Sequence, residues 1–326
     1  MPTRTTKPSS AIALCLASAL AASATQAAAD AAPESDRPIR IAINEWTGQH
    51  VTATILGKVY QSMGYEVEYV TAGAIPQFTA LVEGEITVQP EIWSNLVGDA
   101  WPNALASGAM VNLGSLGLNN FEGWAYPKYM EETCPGLPDL AALVACKDQI
   151  ATAETFPKGR ILAYPADWGT RTIDAIAALG LPVQGIAAGS EGAMVAEIRS
   201  AFAQQRPLVL MFWSPHWVHA EFDLGWIEIT PPFAAECLTD PAWGPNPDAT
   251  GDCAFEQAAV DKGAWSGMSE TWPAAFGVLE RFALDGTDQS AMVFEIDRRG
   301  RPLEEVVDEW LAANPETWKA WLPEAG

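Results

Sequence analysis

The segment Ile39-Arg40-Ile41-Ala42-Ile43 alternates in the period-two manner of a strand, and Val51 to Met63 then carries apolar residues at helical spacing up to Gly64. Glu66 to Val70 reads as the next strand, Gln77 to Val82 as a helix, and Glu85 to Ile92 as a strand running into Trp93. Strand and helix alternating in this way predict a parallel sheet. A second set follows: Arg160 to Tyr164 as strand, Thr170 to Leu179 as helix ended by Gly180, Met194 to Gln205 as helix, and Pro207 to Phe212 as strand. Gly225 to Ile229 gives one more strand. The C-terminal third is mainly helical, with Leu303 to Leu311 and Pro315 to Leu322 amphipathic. The pattern predicts an α/β chain in two lobes, as does the length of 326 residues, because single cores stop growing near roughly 250 to 300 residues.

Ahead of these elements, residues 1–27 have the form of a signal peptide: Arg4 and Lys7 without an acid, the short apolar run Ala11 to Ala22, then small residues up to Ala27. Cys15 lies in that run, but Ile12-Ala13-Leu14 before it is a poor lipid-attachment motif. The mature chain is therefore expected to be exported, and no later segment is long and apolar enough to cross a bilayer.

Composition narrows the function. Hydrophobic residues make up 49% and charged residues 18%, which excludes disordered and coiled-coil chains. Lys and Arg total 18 against 41 Asp and Glu, a net charge of -23, and loss of Arg4 and Lys7 takes the exported form to about -25. Such a surface repels phosphate backbones, so nucleic acid is ruled out as a partner. The four cysteines beyond the leader form two local pairs, Cys134 with Cys146 and Cys237 with Cys253. An oxidising compartment favours two short-loop disulfides. Four cysteines allow three connectivities, of which the local one is preferred, and neither pair has the CxxC spacing of a zinc site.

The chain has 14 Trp, more than its 11 Phe or 6 Tyr. Four share a position: Trp46, Trp93, Trp168 and Trp213 each stand at or just past the carboxyl end of an expected strand, where open α/β sheets bind ligands. Two come from each lobe, so they point at one cleft. The tryptophans at 226, 265, 272, 310, 318 and 321 lack this placement and are expected in the core. A box of indole faces suits a trimethylated nitrogen, whose spread charge offers no N–H to bond and is held by ring quadrupoles at about 0.5 to 2 kcal/mol per face. Sugar stacking is the competing use, in an exported carbohydrate-active enzyme or lectin, but these strand ends are poor in the polar groups that hydroxyls need.

These residues resemble the periplasmic substrate-binding proteins of ABC importers for glycine betaine, choline and related methylated amines, over most of the mature chain. Members of that family carry segments like Asn-Trp-Thr-Pro, Pro-Gly-Trp-Gly-Cys and Thr-Trp-Thr-Pro-Tyr-Trp-Val. The counterparts here are Glu91-Ile92-Trp93-Ser94, Pro165-Ala166-Asp167-Trp168-Gly169-Thr170 and Phe212-Trp213-Ser214-Pro215-His216-Trp217-Val218. The resemblance implies Trp93, Trp168 and Trp213 as cage walls, and Trp46 looks like the additional N-terminal Trp of choline-binding relatives. It also implies the two-lobed type II periplasmic binding fold with two hinge crossovers. The lobes are expected at residues 38–120 plus 233–326 and at 121–232, with hinge strands near 113–126 and 227–233 and the ligand in the cleft between. An ABC permease in the inner membrane would be the partner of a monomeric periplasmic protein that catalyses no reaction and requires no cofactor.

One departure bears on the ligand. Glu122, in Asn119-Asn120-Phe121-Glu122-Gly123, stands where relatives tend to place a neutral polar or aromatic residue. Ionised, it would repel the carboxylate of glycine betaine and welcome choline; with its pKa raised by apolar surroundings, it can donate to the oxygen of trimethylamine N-oxide. The chain thus resembles most the N-oxide binders of the family, with choline and glycine betaine as the alternatives.

Between Cys237 and Cys253, the residues Asn246, Asp248, Thr250 and Asp252 form a candidate calcium loop, although its twelfth position is Gln257 rather than Glu. The histidines are His50, His216 and His219, and no GxSxG, P-loop or GxGxxG motif is present, so no common enzyme signature is met.

Overall fold

The computed structural model describes Met1, residues 33–257 and residues 259–324; apart from Met1, the expected signal peptide lies outside the described residues. Two five-stranded sheets organise the chain. The first is built from β1 (Ile39–Ile43), β2 (Val67–Thr71), β3 (Val88–Trp93) and β4 (Met110–Ser115). The chain then crosses to the second, with β5 (Phe121–Pro127), β6 (Gly159–Ala163), β7 (Val183–Ala187), β8 (Leu210–Ser214) and β9 (Leu224–Trp226). It returns with β10 (Val260–Trp265), which inserts between β3 and β4. The orders are β2-β1-β3-β10-β4 and β7-β6-β8-β5-β9.

The expected parallel pairing holds for β1 with β2 and β3, and for β6 with β7 and β8. Both sheets are nevertheless mixed, because β10 runs antiparallel to β3 and β4, and β5 antiparallel to β8 and β9. The antiparallel strands are those beside a crossing between sheets, so they lack the helical return that keeps βαβ units parallel. Four strands were not expected from the pattern: β4 and β5, which overlap the hinge region that the resemblance implies near 113–126, and β7 and β10. β7 is interrupted by Gly185 and largely uncovered, and β10 carries Asp261, Lys262 and Gly263, which read as a loop. Lys262 is buried there because its ammonium donates to the carbonyls of Glu280 and Phe282.

Other boundaries move for local reasons. The first helix is Thr47–Ser62, beginning before Val51, since the amides of Gln49 and His50 already donate to Trp46 O. β3 starts at Val88 rather than Glu85 because the amides of Glu85 and Ile86 close a turn onto Ala80 O. Of the tryptophans assigned to the core, Trp272, Trp310 and Trp321 are buried, whereas Trp226, Trp265 and Trp318 are only half-buried. Trp226 caps the open edge of the second sheet, edge-on to Phe121 at 4.8 Å between centroids.

Every residue of β3 is buried, as expected for a central strand covered on both faces. Yet it contains Gln89, Pro90 and Glu91, and proline cannot donate to a ladder. The register against β10 resolves this: Ile92 pairs with Asp261 and Gln89 with Gly263, leaving Pro90 and Glu91 opposite Lys262 alone. This bulge bends the strand just before its carboxyl end. Both cysteine pairs sit at disulfide distance in the local connectivity, with Cα separations of 5.8 Å for Cys134–Cys146 and 6.4 Å for Cys237–Cys253. Among the described residues no helix is long and apolar enough to cross a membrane.

Candidate functional site

Strand ends from both sheets meet at one cavity. Trp46 precedes the first helix after β1, Trp93 ends β3, Trp168 follows β6 in a short 3-10 turn, and Trp213 lies in β8. All four line the cavity, as does Glu122 from β5. Trp46 meets Trp168 edge-on across the cleft at 5.1 Å between centroids, and Trp168 meets Trp213 at 5.7 Å. Tyr164 adds a fifth ring, 5.5 Å from Trp168 and 5.8 Å from Trp213. The centre of a water molecule can occupy about 20 Å3 of this space, which suits a compact group.

Two carboxylates face this space, each only 1% exposed. Glu122 Oε1 accepts from the Tyr164 hydroxyl at 2.8 Å, while Oε2 accepts from Asn95 Nδ2 at 2.5 Å and Arg171 Nη1 at 3.1 Å. Burial pushes its carboxyl up, and the Arg171 guanidinium pulls it back. The backbone of Glu122 is clasped by the Gln257 amide, which accepts from its N–H and donates to its C=O, both at 2.8 Å.

Glu91 was not anticipated from the sequence. Its Oε1 accepts both Trp46 Nε1 at 2.7 Å and Trp93 Nε1 at 3.0 Å, so one oxygen fixes two walls of the cavity. Its Oε2 accepts from Thr52 Oγ1 at 2.7 Å and Gln289 Nε2 at 2.9 Å. Burial raises this carboxyl too, opposed by the four donors. The available signal was an acid two residues before Trp93 in an apolar strand, which period two places on the same face.

Further contacts lie around the cavity, two of them between the lobes. Thr47 N donates to Glu191 Oε2 and Thr47 Oγ1 to Asp297 Oδ1, each at 2.8 Å, while Trp217 Nε1 donates to Asp297 Oδ2 at 3.3 Å. At the lip the Glu45 carboxyl is raised, chiefly by the charge of Asp167 from the other lobe. Beside Trp168, Gly169 has φ +112°, and a Cβ built there would lie 2.8 Å from Leu96 O of the facing lobe.

Among the described residues, Glu191, His216 and Asp297 form the one His/Cys/acid group close enough to share a metal ion. Its imidazole is already committed: Nδ1 accepts from Val218 N, so the proton sits on Nε2, 3.1 Å from Glu191 Oε1. In the candidate calcium loop, Asn246 Nδ2 donates to Ala178 O and its Oδ1 accepts from Asp248 N. Asp252 is buried with Oδ2 accepting from Asn246 N, and Asp248 is exposed.

Residues 37–313 match the model of the substrate-binding domain of ABC-type glycine betaine transport systems. The chain belongs to that family. Its members are transport binding proteins rather than enzymes, and this chain has their fold. It is 29% identical over 294 residues to the trimethylamine N-oxide-binding protein of Pelagibacter ubique, covering 88% of this chain and 91% of that protein. Similarity to the glycine betaine/carnitine transport binding protein GbuC of Listeria monocytogenes is 28% over 132 residues, 40% of this chain and 37% of that one. Among solved structures, a choline-binding protein of an ABC transporter in complex with choline superposes with a TM-score of 0.70 at 20% identity, covering 89% and 92% of the two chains. Lactococcal OpuAC in its closed form with glycine betaine gives 0.68 at 17%, covering 88% and 100%.

Proposed function

We propose that this protein is the periplasmic solute-binding component of an ABC importer and that it captures trimethylamine N-oxide between its lobes. The observation that carries this reading is the cavity wall: four indoles and a phenol surround a compact space whose lining, among the described residues, holds two carboxylates and no Lys, Arg or His. Ring faces hold the methylated nitrogen through their quadrupoles. A carboxylate-bearing ligand such as glycine betaine would face Glu91 and Glu122 without a cation to receive it. Choline's hydroxyethyl arm asks for more space than the single oxygen of the N-oxide. The N-oxide keeps its acceptor one bond from nitrogen, within reach of Glu122, whose burial, opposed by Arg171, brings its carboxyl nearer to taking up a proton that it can share with that oxygen. Likeness over most of its length to a protein named for this ligand supports the same choice. Contacts from both lobes, such as Trp46 with Trp168, are made only when the cleft shuts, so the ligand stabilises the closed form that a permease would recognise.

Calorimetric titration of the mature protein with trimethylamine N-oxide, choline and glycine betaine tests this, repeated on Glu122→Gln. Tightest binding of the N-oxide, weakened by the substitution, is expected. Preference for glycine betaine would overturn the ligand assignment, and binding of none would overturn the cage.

A further inference from the structure

The two buried acids of the cavity have different partners, and the difference assigns them different work. Glu122 has a cationic neighbour in Arg171, at 3.1 Å. Among the described residues Glu91 has none: it is held by two indole N–H groups, an amide and a hydroxyl, all neutral. Three of these four are N–H groups, which only donate. The fourth, the Thr52 hydroxyl, lies 2.7 Å from Glu91 Oε2 and 3.1 Å from Gly48 O and can donate to either. Three of the four groups on its two oxygens can only donate, which opposes the rise that burial causes, and the ionised form is the one this shell fits better.

Charged and titratable groups on the neighbouring elements are engaged elsewhere. On the first helix, His50 Nε2 contacts Asn44 O, and Lys58 pairs with Glu304 and Asp308. On β1, Arg40 pairs with Glu68. On β10, Asp261 accepts from Asn112 and Lys262 donates to two carbonyls. On the helix Gly286–Val293, Asp288 accepts from Trp310 Nε1. Around Glu122, Tyr164 donates to it; on β8 and the turn beyond it, His219 contacts Trp213 O and His216 contacts Glu191.

We propose that Glu91 is the fixed counter-charge of the cage, orienting Trp46 and Trp93 through their N–H groups and balancing the ligand's quaternary nitrogen, so that a zwitterionic N-oxide enters with a proton whereas a permanent cation enters without one. This rests on the reading of the cavity as a methylated-amine site. Among side chains this deeply buried, an unbalanced charge is costly. With both acids ionised, Arg171, Glu122 and Glu91 together carry one negative charge. A tetraalkylammonium ion cancels it. Trimethylamine N-oxide has no net charge and cannot, so its capture takes one proton from solvent onto the hydrogen bond between Glu122 and the N-oxide oxygen. No covalent bond to carbon or nitrogen changes.

The test is titration calorimetry of the full mature chain with tetramethylammonium chloride and with trimethylamine N-oxide, in two buffers of different ionisation enthalpy at neutral pH. In the wild type the N-oxide is expected to take up one proton more than the cation. In Glu91→Gln that excess should vanish, because Arg171 and Glu122 then balance each other, and affinity for the cation should fall at least about tenfold relative to the N-oxide. A residue that merely propped the indoles would weaken both ligands alike and leave the proton count unchanged, which would overturn the proposal. Equal proton counts for the two ligands on the wild-type protein would overturn it without any variant, so a misfolded Glu91→Gln does not shelter it. Failure of the wild type to bind either ligand would instead remove the methylated-amine reading beneath it.

Discussion

Replacing Trp46 by alanine removes three things at once: a ring face from the cavity, an edge contact across the cleft, and one of the two indole N–H groups on Glu91 Oε1. The face is worth about 0.5 to 2 kcal/mol to a methylated cationic nitrogen, and the Trp46–Trp168 contact about 0.5 to 1.5 kcal/mol. Because both are complete only when the lobes meet, their loss falls on the closed, ligand-holding state. Together they come to about 1 to 3.5 kcal/mol, and at 1.4 kcal/mol per tenfold the dissociation constant should rise roughly 5-fold to 300-fold. Trp46→Phe keeps a weaker face but no N–H, and should fall between wild type and Trp46→Ala. Calorimetric titration with trimethylamine N-oxide reads the effect, with thermal unfolding of each ligand-free variant as the control for folding. A cooperatively folded Trp46→Ala that binds within about threefold of the wild type would refute the reasoning, since that is under 1 kcal/mol and less than the two contacts supply.

Gly169→Ala should weaken ligand binding at least about tenfold, because φ +112° and the approach of Leu96 O leave no room for a Cβ when the cleft is shut; unchanged affinity would show that the lobes close without this contact. At the lip, the charge of Asp167 from the other lobe raises the Glu45 carboxyl above its ordinary 4.5, so on the proposed closure mechanism the closed form holds more protons than an open one. Affinity should therefore improve as pH falls through the raised value and weaken above it, and Glu45→Gln should bind more tightly than wild type at neutral pH; a dissociation constant measured against pH for both proteins decides this. Lys262 has the opposite kind of linkage: burial lowers its ammonium from 10.5 to about 8, so the folded state holds fewer protons, and denaturant titrations should show its contribution to stability rising with pH between those values, a rise absent in Lys262→Met. Opening Cys134–Cys146 or Cys237–Cys253 by Cys→Ser pairs frees loops with sequence separations of 12 and 16 residues, which should cost about 3 kcal/mol each in unfolding titrations.

Periodicity in the sequence determined most of the secondary structure, because an apolar stripe or alternation must be buried whatever surrounds it. It also located the four indoles: a residue at the carboxyl end of a strand in an open α/β sheet faces the ligand crevice by the geometry of the fold, and Trp46, Trp93, Trp168 and Trp213 line one cavity. The two cysteine pairs were legible for a similar reason, since short separations favour local closure.

The tertiary structure decided what depends on distant neighbours. β10, with Asp261, Lys262 and Gly263, is a strand only because β3 and β4 leave a gap for it and two carbonyls receive its lysine. Glu91 acquires its place only when Thr52, 39 positions away, and Gln289, 198 positions away, close round it. Glu122, conspicuous in the sequence as an acid, has a partner in Arg171 that no local pattern announced, 49 positions along the chain. A residue's periodicity is written in the few positions beside it. The charge state of a buried carboxyl is set by desolvation and by donors that only the folded chain assembles.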